Sequence, residues 1–202
     1  MKYFRLVTMF LTAMVLLPAC DYTPRPLPPI ETYFSPKGGV TDAVVREIDA
    51  AEQTIFVQAY SFTSAKIAEA LVNAHRRGVV VHVILDRSNV GEKYSYADFL
   101  AHSGVPVLID ARHEIAHNKI MILDGQVVIT GSFNFTKQAE TSNAENLLVI
   151  RDRQIAERYL ENWHDHEAHS EPYAGRGVDA SEPPTEHRRG DHAAPHHEHR
   201  TQ

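Results

Sequence analysis

The sequence predicts an α/β fold in which a mixed, largely parallel β-sheet is flanked by helices on both faces. Three observations favour it. Between about residues 31 and 168, helical apolar spacing alternates with short continuous apolar runs typical of buried strands. A strand, a helix and a strand follow one another from residue 54 to residue 85, which predicts a right-handed βαβ unit with parallel strands. An Asp-Gly pair at residues 124 and 125 predicts an antiparallel hairpin.

The predicted elements follow a regular order along this stretch. In the first helix, Val44, Val45 and Ile48 lie on one face after a Thr that serves as the cap. The apolar run VVVHVIL, which ends at Asp86, is typical of a strand covered on both faces. The predicted elements are a helix at 41–52, a strand at 54–60, a helix at 64–78, a strand at 79–85, a weaker helix at 92–103, a strand at 105–109, the two hairpin strands, a strand at 145–150 and a helix at 152–166.

Polar side chains interrupt the hairpin at the end away from its turn. As the two residues of a type I′ turn, Asp124 and Gly125 place His117 opposite Ser132. Opposed residues, and residues two apart along a strand, point to the same face. One face then carries His117, Lys119, Ser132 and Asn134, and the other carries Ile120, Ile122, Val127 and Ile129. Because Asp124 lies about 16 Å along the strand from Lys119, it is assigned a structural role in the turn.

The residues of the polar face suit phosphoryl transfer. An imidazole such as His117 can act as a nucleophile or exchange a proton near neutral pH. Lys119 and Asn134 can donate hydrogen bonds to the non-bridging oxygens of a phosphoryl group as negative charge builds on them. Glu145, at the start of the next predicted strand, is a carboxylate that can hold the second ring nitrogen of His117 and fix its tautomer.

Each of these residues alone has a more ordinary interpretation. A single His in a strand is more often structural, the Lys after it is more often on the surface, and the stretch GSFN can be a simple turn. Together, however, they would leave an ammonium group half-buried, which is costly unless it meets an anion. The combination predicts an anion-binding active site at the mouth of a covered sheet.

The charge of the chain limits how it can bind a polyanion. Its 202 residues carry a formal net charge of −6, the wrong sign for holding nucleic acid by bulk electrostatics. From His164 onward, eight acidic and four basic residues contribute −4, so the preceding part carries −2. Any polyanion site must therefore be a local patch, for which the candidates are Arg76, Arg77, Arg87, Lys93, Arg112 and Lys137.

Residues 1–20 are typical of a signal peptide. Lys2 and Arg5 precede an apolar run that is too short to span a bilayer comfortably. The segment ends in LPAC, which resembles a bacterial lipobox, so Cys20, the single cysteine, is a candidate for lipidation. There are two alternatives to lipidation. The segment can be cleaved after Ala19 to leave a soluble product, or it can remain uncleaved as an anchor. The predicted location is the bacterial periplasm, with or without a membrane tether.

Two further segments are predicted to flank the catalytic domain, which is placed at residues 31–168. Residues 21–30 are Pro-rich and favour an extended spacer. Residues 169–202 carry almost no large apolar side chains and are predicted to be disordered. The histidines of this tail can bind a transition metal weakly, but a solvated polar tail is the preferred interpretation.

The hairpin sequence resembles the HKD motif of the phospholipase D superfamily, H-x-K-x4-D-x6-G-S-x-N. Every spacing matches, at His117, Lys119, Asp124, Gly131, Ser132 and Asn134. The flanking stretches AYSFTSAKIAEALVNAHRRGV and GSFNFTKQAETSNAENLLVI are similar to those of the single-motif bacterial endonucleases of the Nuc type. The resemblance covers roughly residues 30–166 and implies the phospholipase D/nuclease-like fold.

The resemblance also implies a mechanism. In this family the motif His attacks phosphorus to form a phosphohistidine, a second motif His protonates the leaving oxygen, and the reaction needs no metal and no cofactor. It implies that His117 is the nucleophile in one subunit and the acid in the other. It also implies that Lys119 and Asn134 bind phosphate oxygens with help from Ser132, and that Glu145 orients the His. Because the chain has one copy of the motif, a homodimer with the active site on its two-fold axis is predicted. A monomer with another group as the acid is the alternative.

Three functions are consistent with the sequence. The preferred one is a metal-independent phosphodiesterase that cuts DNA or RNA without sequence preference, because the motif contacts phosphate and not bases. The alternative is hydrolysis or transfer on phospholipids, since single-motif relatives in the resembled family, including the mitochondrial protein Zucchini, are linked to both RNA and cardiolipin. A dimeric binding module with an inactive site is the third, and the intact motif disfavours it.

Overall fold

The computed structural model describes residues 26–177, which form eight strands and five α-helices. The strands are β1 (Ile30–Ser35), β2 (Thr54–Ala59), β3 (Val80–Asp86), β4 (Val107–Asp110), β5 (Lys119–Leu123), β6 (Val127–Gly131), β7 (Glu145–Arg151) and β8 (Glu171–Tyr173). The helices are α1 (Val40–Ala50), α2 (Ala65–Arg76), α3 (Ala97–His102), α4 (Lys137–Thr141) and α5 (Arg153–Glu167), with a 3-10 turn at Arg87–Val90. The predicted helix at 92–103 is therefore shorter than expected.

All eight strands belong to one mixed sheet in the order β1-β7-β6-β5-β2-β3-β4-β8. Two pairings, β2 with β3 and β3 with β4, are parallel, as the βαβ unit predicted. The other five are antiparallel, so the sheet is not largely parallel. The reason is that β5 and β6 are joined by a tight turn, which can connect only antiparallel strands, and this hairpin and β7 add to the free side of β2.

Helices cover both faces of the sheet, which confirms the predicted fold class. On one face, α1, α2 and α3 contribute Ile48, Leu71 and Leu100 to the larger core cluster, and all three side chains are fully buried. On the other face, α5 packs on the sheet through Ala156 and Trp163. The sheet is thus apolar on both sides, and polar chemistry is confined to its ends.

The first helix is capped by a carboxylate from a distant part of the chain. It begins at Val40, one residue before the predicted Thr cap. The backbone N–H groups of Gly39 and Thr41 donate to Oε1 and Oε2 of Glu140, at 3.1 and 2.7 Å. An acidic side chain at a helix N-terminus satisfies free N–H groups and complements the helix dipole.

The beginning of the predicted disordered tail is part of the fold. β8 pairs antiparallel with β4 at the sheet edge. Two residues near it bind Asp98 at the start of α3: the hydroxyl of Tyr173 donates a hydrogen bond, and Arg176 forms an ion pair at 2.8 Å. The prediction of disorder from residue 169 is therefore wrong as far as residue 177, because an edge strand is held by backbone hydrogen bonds and needs few large apolar side chains.

Several predictions concern residues that the structure does not describe. The signal peptide, Cys20 and most of the Pro-rich spacer lie within residues 1–25, and the His-rich end of the tail lies within residues 178–202. Of the spacer, residues 26–29 precede β1 without regular secondary structure. Among the helices of residues 26–177, none has the length and apolarity needed to cross a membrane.

Candidate active site

The polar residues of the HKD motif lie at one edge of the sheet, where four adjacent strand ends meet. β2 and β6 end at this edge and β5 and β7 begin there, because each runs antiparallel to its neighbour. Ala59 at the end of β2 lies opposite Lys119, and Gly131 at the end of β6 lies opposite Leu147. The first half of the motif, His117 and Lys119, lies at the start of β5, and the second half, Ser132 and Asn134, follows β6. The hairpin folds β6 back along β5 and so brings the two halves to the same edge.

His117 is exposed in the loop immediately before β5. Its ring centroid lies 4.7 Å from that of Tyr60, at an interplanar angle of 50°. The backbone N–H of Tyr60 donates to the carbonyl of Asn118 at 2.9 Å, which fixes the main chain beside the imidazole. The ring is therefore supported on one side and open to a substrate on the other.

Lys119 is buried beside the same tyrosine ring, with 7% of its surface exposed. Its Nζ donates to the carbonyl oxygen of His117 at 2.8 Å and lies 5.1 Å from the centroid of the Tyr60 ring. Burial lowers the pKa of Lys119 below its ordinary value, and the charge of the Glu145 carboxylate opposes this effect. The ammonium group is positioned in advance and can meet an anion with little reorganisation.

Glu145 joins the second half of the motif to the first. Its Oε2 accepts a hydrogen bond from Oγ of Ser132 at 2.6 Å, and its Oε1 accepts one from Nδ2 of Asn143 at 3.0 Å. Within residues 26–177, no hydrogen bond joins Glu145 to His117. The contact expected to fix the tautomer is therefore not formed in the single chain, and the carboxylate instead positions Ser132 and lies near Lys119.

The turn of the hairpin differs from the prediction by one residue. Asp124 and Gly125 have positive φ angles of 51° and 60°, and the N–H of Gln126 donates to the carbonyl of Leu123, as an Asp-Gly turn requires. The pairing, however, places Leu123 opposite Val127. Gln126 is thus a third loop residue between the two paired strands.

This extra residue exchanges the two faces of β6. Ile120 and Ile122 pack with Val128 on the face covered by α5, whereas Ile129 lies in the other core cluster. The prediction that Val127 and Ile129 share a face with Ile120 is therefore wrong, because a slip of one residue reverses every side chain of a strand. The predicted alternation of side chains between the two faces of the hairpin therefore does not explain how the motif residues come together.

A β-bulge at the end of β6 redirects the motif residues. The N–H groups of Ser132 and Phe133 both donate to the carbonyl of Asn146, at 3.1 and 3.2 Å. Phe133 turns into the core, with 1% exposure, while Ser132 stays exposed. Gly131 has a φ angle of 153°, and a Cβ at this position would lie 2.3 Å from the Asn146 oxygen. The motif needs glycine here because a side chain would collide with the backbone of β7.

The motif carboxylate, Asp124, acts at the far end of the hairpin. Its oxygens accept hydrogen bonds from the backbone N–H groups of Glu52, Gln53 and Thr54, at 2.9, 2.8 and 2.8 Å. Burial alone would raise the pKa of Asp124, but these three donors lower it below its ordinary value. Asp124 therefore ties the turn to the chain entering β2, the strand that supports Tyr60.

Asn134 follows the bulge at the end of β6. Its Oδ1 is buried and, among the described residues, has no hydrogen-bond partner. A buried polar atom without a partner costs about 1–3 kcal/mol. The amide fits a site that is completed by another molecule.

Comparison with known protein families agrees with this geometry. The family model described as "Cardiolipin synthase, PLD-like domain" matches residues 44–166, a range that contains the whole motif and Glu145. The chain belongs to the phospholipase D superfamily. It is a phosphodiesterase of that superfamily.

The similarity of this phospholipase D superfamily member extends to sequence relatives and to a solved structure. It is 48% identical over 134 residues to a phospholipase D of Rickettsia felis, covering 66% of this chain and 67% of that protein. It is 34% identical over 134 residues to the mitochondrial cardiolipin hydrolase of Xenopus laevis, covering 66% of this chain and 60% of that protein. The crystal structure of Nuc, a phospholipase D family member from Salmonella typhimurium, matches with a TM-score of 0.69 and 40% identity over 72% of this chain and 98% of Nuc.

Two residues of this phospholipase D site were missed by sequence reasoning. Tyr60 contacts both His117 and Lys119, and it is the last residue of a predicted strand. Because sites in open α/β sheets lie at the carboxyl ends of parallel strands, this position indicated that Tyr60 could belong to the site. Nothing in the sequence indicated that Asn143 belongs to the site, because its contact with Glu145 depends on the path of the chain between α4 and β7.

Proposed function

We propose that this phosphodiesterase acts without a metal, through a phosphohistidine at His117, and that it cuts nucleic acid with little sequence preference. The observation that carries the proposal is the exposed imidazole of His117 beside the pre-positioned ammonium of Lys119. Ser132 and Asn146 at the same edge are exposed as well, so the site is an open polar surface that a polymer can reach. The resemblance of the motif and its flanks to Nuc-type endonucleases supports the same substrate class.

The reaction has two balanced halves. In the first, a ring nitrogen of His117 attacks phosphorus, an N–P bond forms, the P–O bond to the leaving group breaks, and the leaving oxygen takes a proton from the imidazolium of a second chain's His117. In the second, that now neutral imidazole removes a proton from water, the water oxygen attacks phosphorus, and the N–P bond breaks. Both imidazoles return to their starting states.

The other site residues stabilise the charge that builds on phosphorus. Lys119 donates to a non-bridging oxygen, and the Nδ2 group of Asn134 donates to another. Ser132 assists there, while its bond to Glu145 holds it in place. Glu145 also favours the charged form of Lys119, which burial disfavours.

A homodimer is part of the proposal, because one chain supplies one motif imidazole. Two observations support it beyond the single motif. Ile115, two residues before His117, is a large apolar side chain with 54% exposure. The unsatisfied Oδ1 of Asn134 is a second sign that the site is incomplete in one chain. A two-fold axis beside this edge would bring the two imidazoles to opposite sides of one phosphorus.

A mixing experiment tests whether the site is shared. Parent chains and His117→Ala chains, distinguished by their affinity tags, are coexpressed in equal amounts, and total hydrolysis is compared with the parent at the same chain concentration. If both imidazoles serve one site, only parent–parent dimers are active, and about one quarter of the activity is expected to remain. Independent sites would leave about one half and would contradict the shared site.

A substrate panel tests the nucleic-acid assignment. The purified protein is incubated with a fluorescent single-stranded oligonucleotide, a fluorescent duplex and vesicles containing cardiolipin, each beside the His117→Asn variant. We expect the parent to cleave the oligonucleotides and the variant to leave them intact. Stoichiometric oligonucleotide binding without cleavage would point to an inactive binding module. Release of phosphatidic acid from the vesicles, with the oligonucleotides intact, would reject the nuclease assignment.

Phospholipid is the second candidate substrate, and a specific observation favours it. The relatives from Rickettsia felis and Xenopus laevis are named for phospholipid hydrolysis. We further propose that the chain is exported and tethered through lipidated Cys20, which would place the site near a membrane surface. Mass spectrometry of the mature N-terminus decides between an acylated cysteine and a soluble product.

A further inference from the structure

A second cluster of chemically reactive side chains lies at the same edge of the sheet, away from the HKD residues. It is built around Asp110, the last residue of β4, and includes His113, His166 and His169. β2 and β3 separate β4 from β5. At about 4.8 Å between neighbouring strands, the cluster lies roughly 14 Å from the start of β5, too far to act on the same phosphorus.

The geometry of the cluster is that of a metal site. The four potential ligand atoms lie within 4.8 Å of one another. Oδ2 of Asp110 is 3.0 Å from Nδ1 of His113, 2.8 Å from Nδ1 of His166 and 3.4 Å from Nε2 of His169. Two ligand atoms bound to zinc at about 2.0–2.1 Å in a tetrahedron lie about 3.3 Å apart. The three distances from the carboxylate oxygen to the imidazole nitrogens are close to this value before any ion is added.

Hydrogen bonding alone accounts poorly for three imidazoles on one carboxylate. The side chain of Asp110 is fully buried, and its Oδ1 already accepts the backbone N–H groups of Arg112 and His113. The imidazole centroids are 4.9–5.4 Å apart, so the three rings crowd around the same carboxylate. A divalent cation, in contrast, binds neutral imidazoles and an ionised carboxylate together.

Solvent exposure differs across the cluster. The side chains of His166 and His169 are 14% and 17% exposed and that of His113 is 46% exposed, while the Asp110 side chain is fully buried, so an ion can reach the cluster from solvent.

We propose that Asp110, His113, His166 and His169 form a binding site for a divalent transition metal, and that zinc is the ion this donor set suits best. Three nitrogens and one oxygen match its preferred ligands and its four-coordinate geometry. Because four protein ligands leave no open position, the role is structural. The proposal departs from the expectation that the chain has no metal site, but it leaves the reaction at His117 free of metal.

The proposed ion would connect parts of the chain that are distant in sequence. Asp110 and His113 flank the start of the loop that leads to His117, while His166 and His169 lie at the end of α5 and before β8. The sequence signal is a D-x2-H pair and an H-x2-H pair separated by more than 50 residues. The metal would fasten the C-terminal end of the domain to the loop that carries the catalytic imidazole.

The test must separate this cluster from the histidines of the tail. The parent for the experiment is the full-length chain without a His tag, with each tail histidine changed to Gln. The changed residues are His187, His192, His196, His197 and His199. In this chain, we expect uptake of one Zn2+ per chain in competition with a chromophoric chelator. The Co2+ form is expected to show the intense visible absorption of a tetrahedral ion.

Single substitutions in that chain identify the ligands. His166→Gln and His169→Gln are each expected to weaken zinc binding at least about 100-fold. His164→Gln is the matched control on the same helix, because its Nδ1 lies 2.8 Å from Glu167 and it is outside the cluster. We expect the control to bind zinc like its parent.

Thermal unfolding supplies a readout that does not depend on catalysis. Zinc at about 100 times its Kd is expected to raise the Tm of the parent by roughly 5 to 10 °C, and to leave the Tm of the His169→Gln chain unchanged. Circular dichroism without metal shows whether each variant is folded. A folded parent that takes up no zinc, or unchanged uptake in both ligand variants, would overturn the proposal without affecting the assignment of His117.

Discussion

Replacing His117 by Asn is expected to lower kcat for phosphodiester hydrolysis by roughly 10^4-fold or more. The amide has a similar size and can still donate a hydrogen bond, but it cannot form the N–P bond. The measurement is a rapid quench of the enzyme in alkaline denaturant, with substrate labelled at the scissile phosphorus, followed by separation of protein-bound label. The parent is expected to show label that is lost in acid and kept in base, as a phosphohistidine is.

Two controls make the loss specific. Because His117 is exposed, the Asn variant is expected to keep the Tm of the parent within about 1 °C. His164→Gln, a change of another exposed histidine, is expected to retain full activity and full labelling. Protein-bound label in His117→Asn at the parent's level would show that another residue is the nucleophile.

Replacing Asp124 by Ala is expected to lower the free energy of unfolding by about 1–3 kcal/mol, although the residue lies at the far end of the hairpin from His117. The change leaves three backbone N–H groups before β2 without their acceptor. It also puts Ala at a position with a φ angle of 51°, which Asp tolerates better. Urea unfolding measures the difference. Gln126→Ala, an exposed neighbour in the same turn, is the control and is expected to change stability by less than about 0.5 kcal/mol.

The same carboxylate predicts a dependence on pH. Folding lowers the pKa of Asp124, so its stabilisation is complete above the unfolded value of about 3.9 and is lost as the pH falls through the lower folded pKa. The stability gap between the parent and Asp124→Asn is therefore expected to be constant above about pH 5 and to shrink below about pH 4. A gap that widens in acid would contradict this role.

The local features of the domain could be predicted because they depend on neighbours in sequence. The βαβ unit can be recognised because its helix and its strands have different spacings of apolar residues. The turn can be recognised because Asp and Gly readily adopt the positive φ angles that it needs, as Asp124 and Gly125 do. The register could not be predicted in the same way. Whether Gln126 belongs to the turn or to the strand depends on which face Ile129 buries, and that depends on helices far away in the chain.

The sequence by itself determined the motif and the residues predicted to carry the chemistry, since the type and spacing of His117, Lys119, Ser132 and Asn134 do not depend on a partner. Tertiary structure alone decided what those residues touch. Glu145 bonds to Ser132 and not to the imidazole, Tyr60 supports His117, and Asp110 gathers three histidines. The physical reason is that these contacts join strand ends and helix ends far apart along the chain, and the order and register of the strands place them side by side.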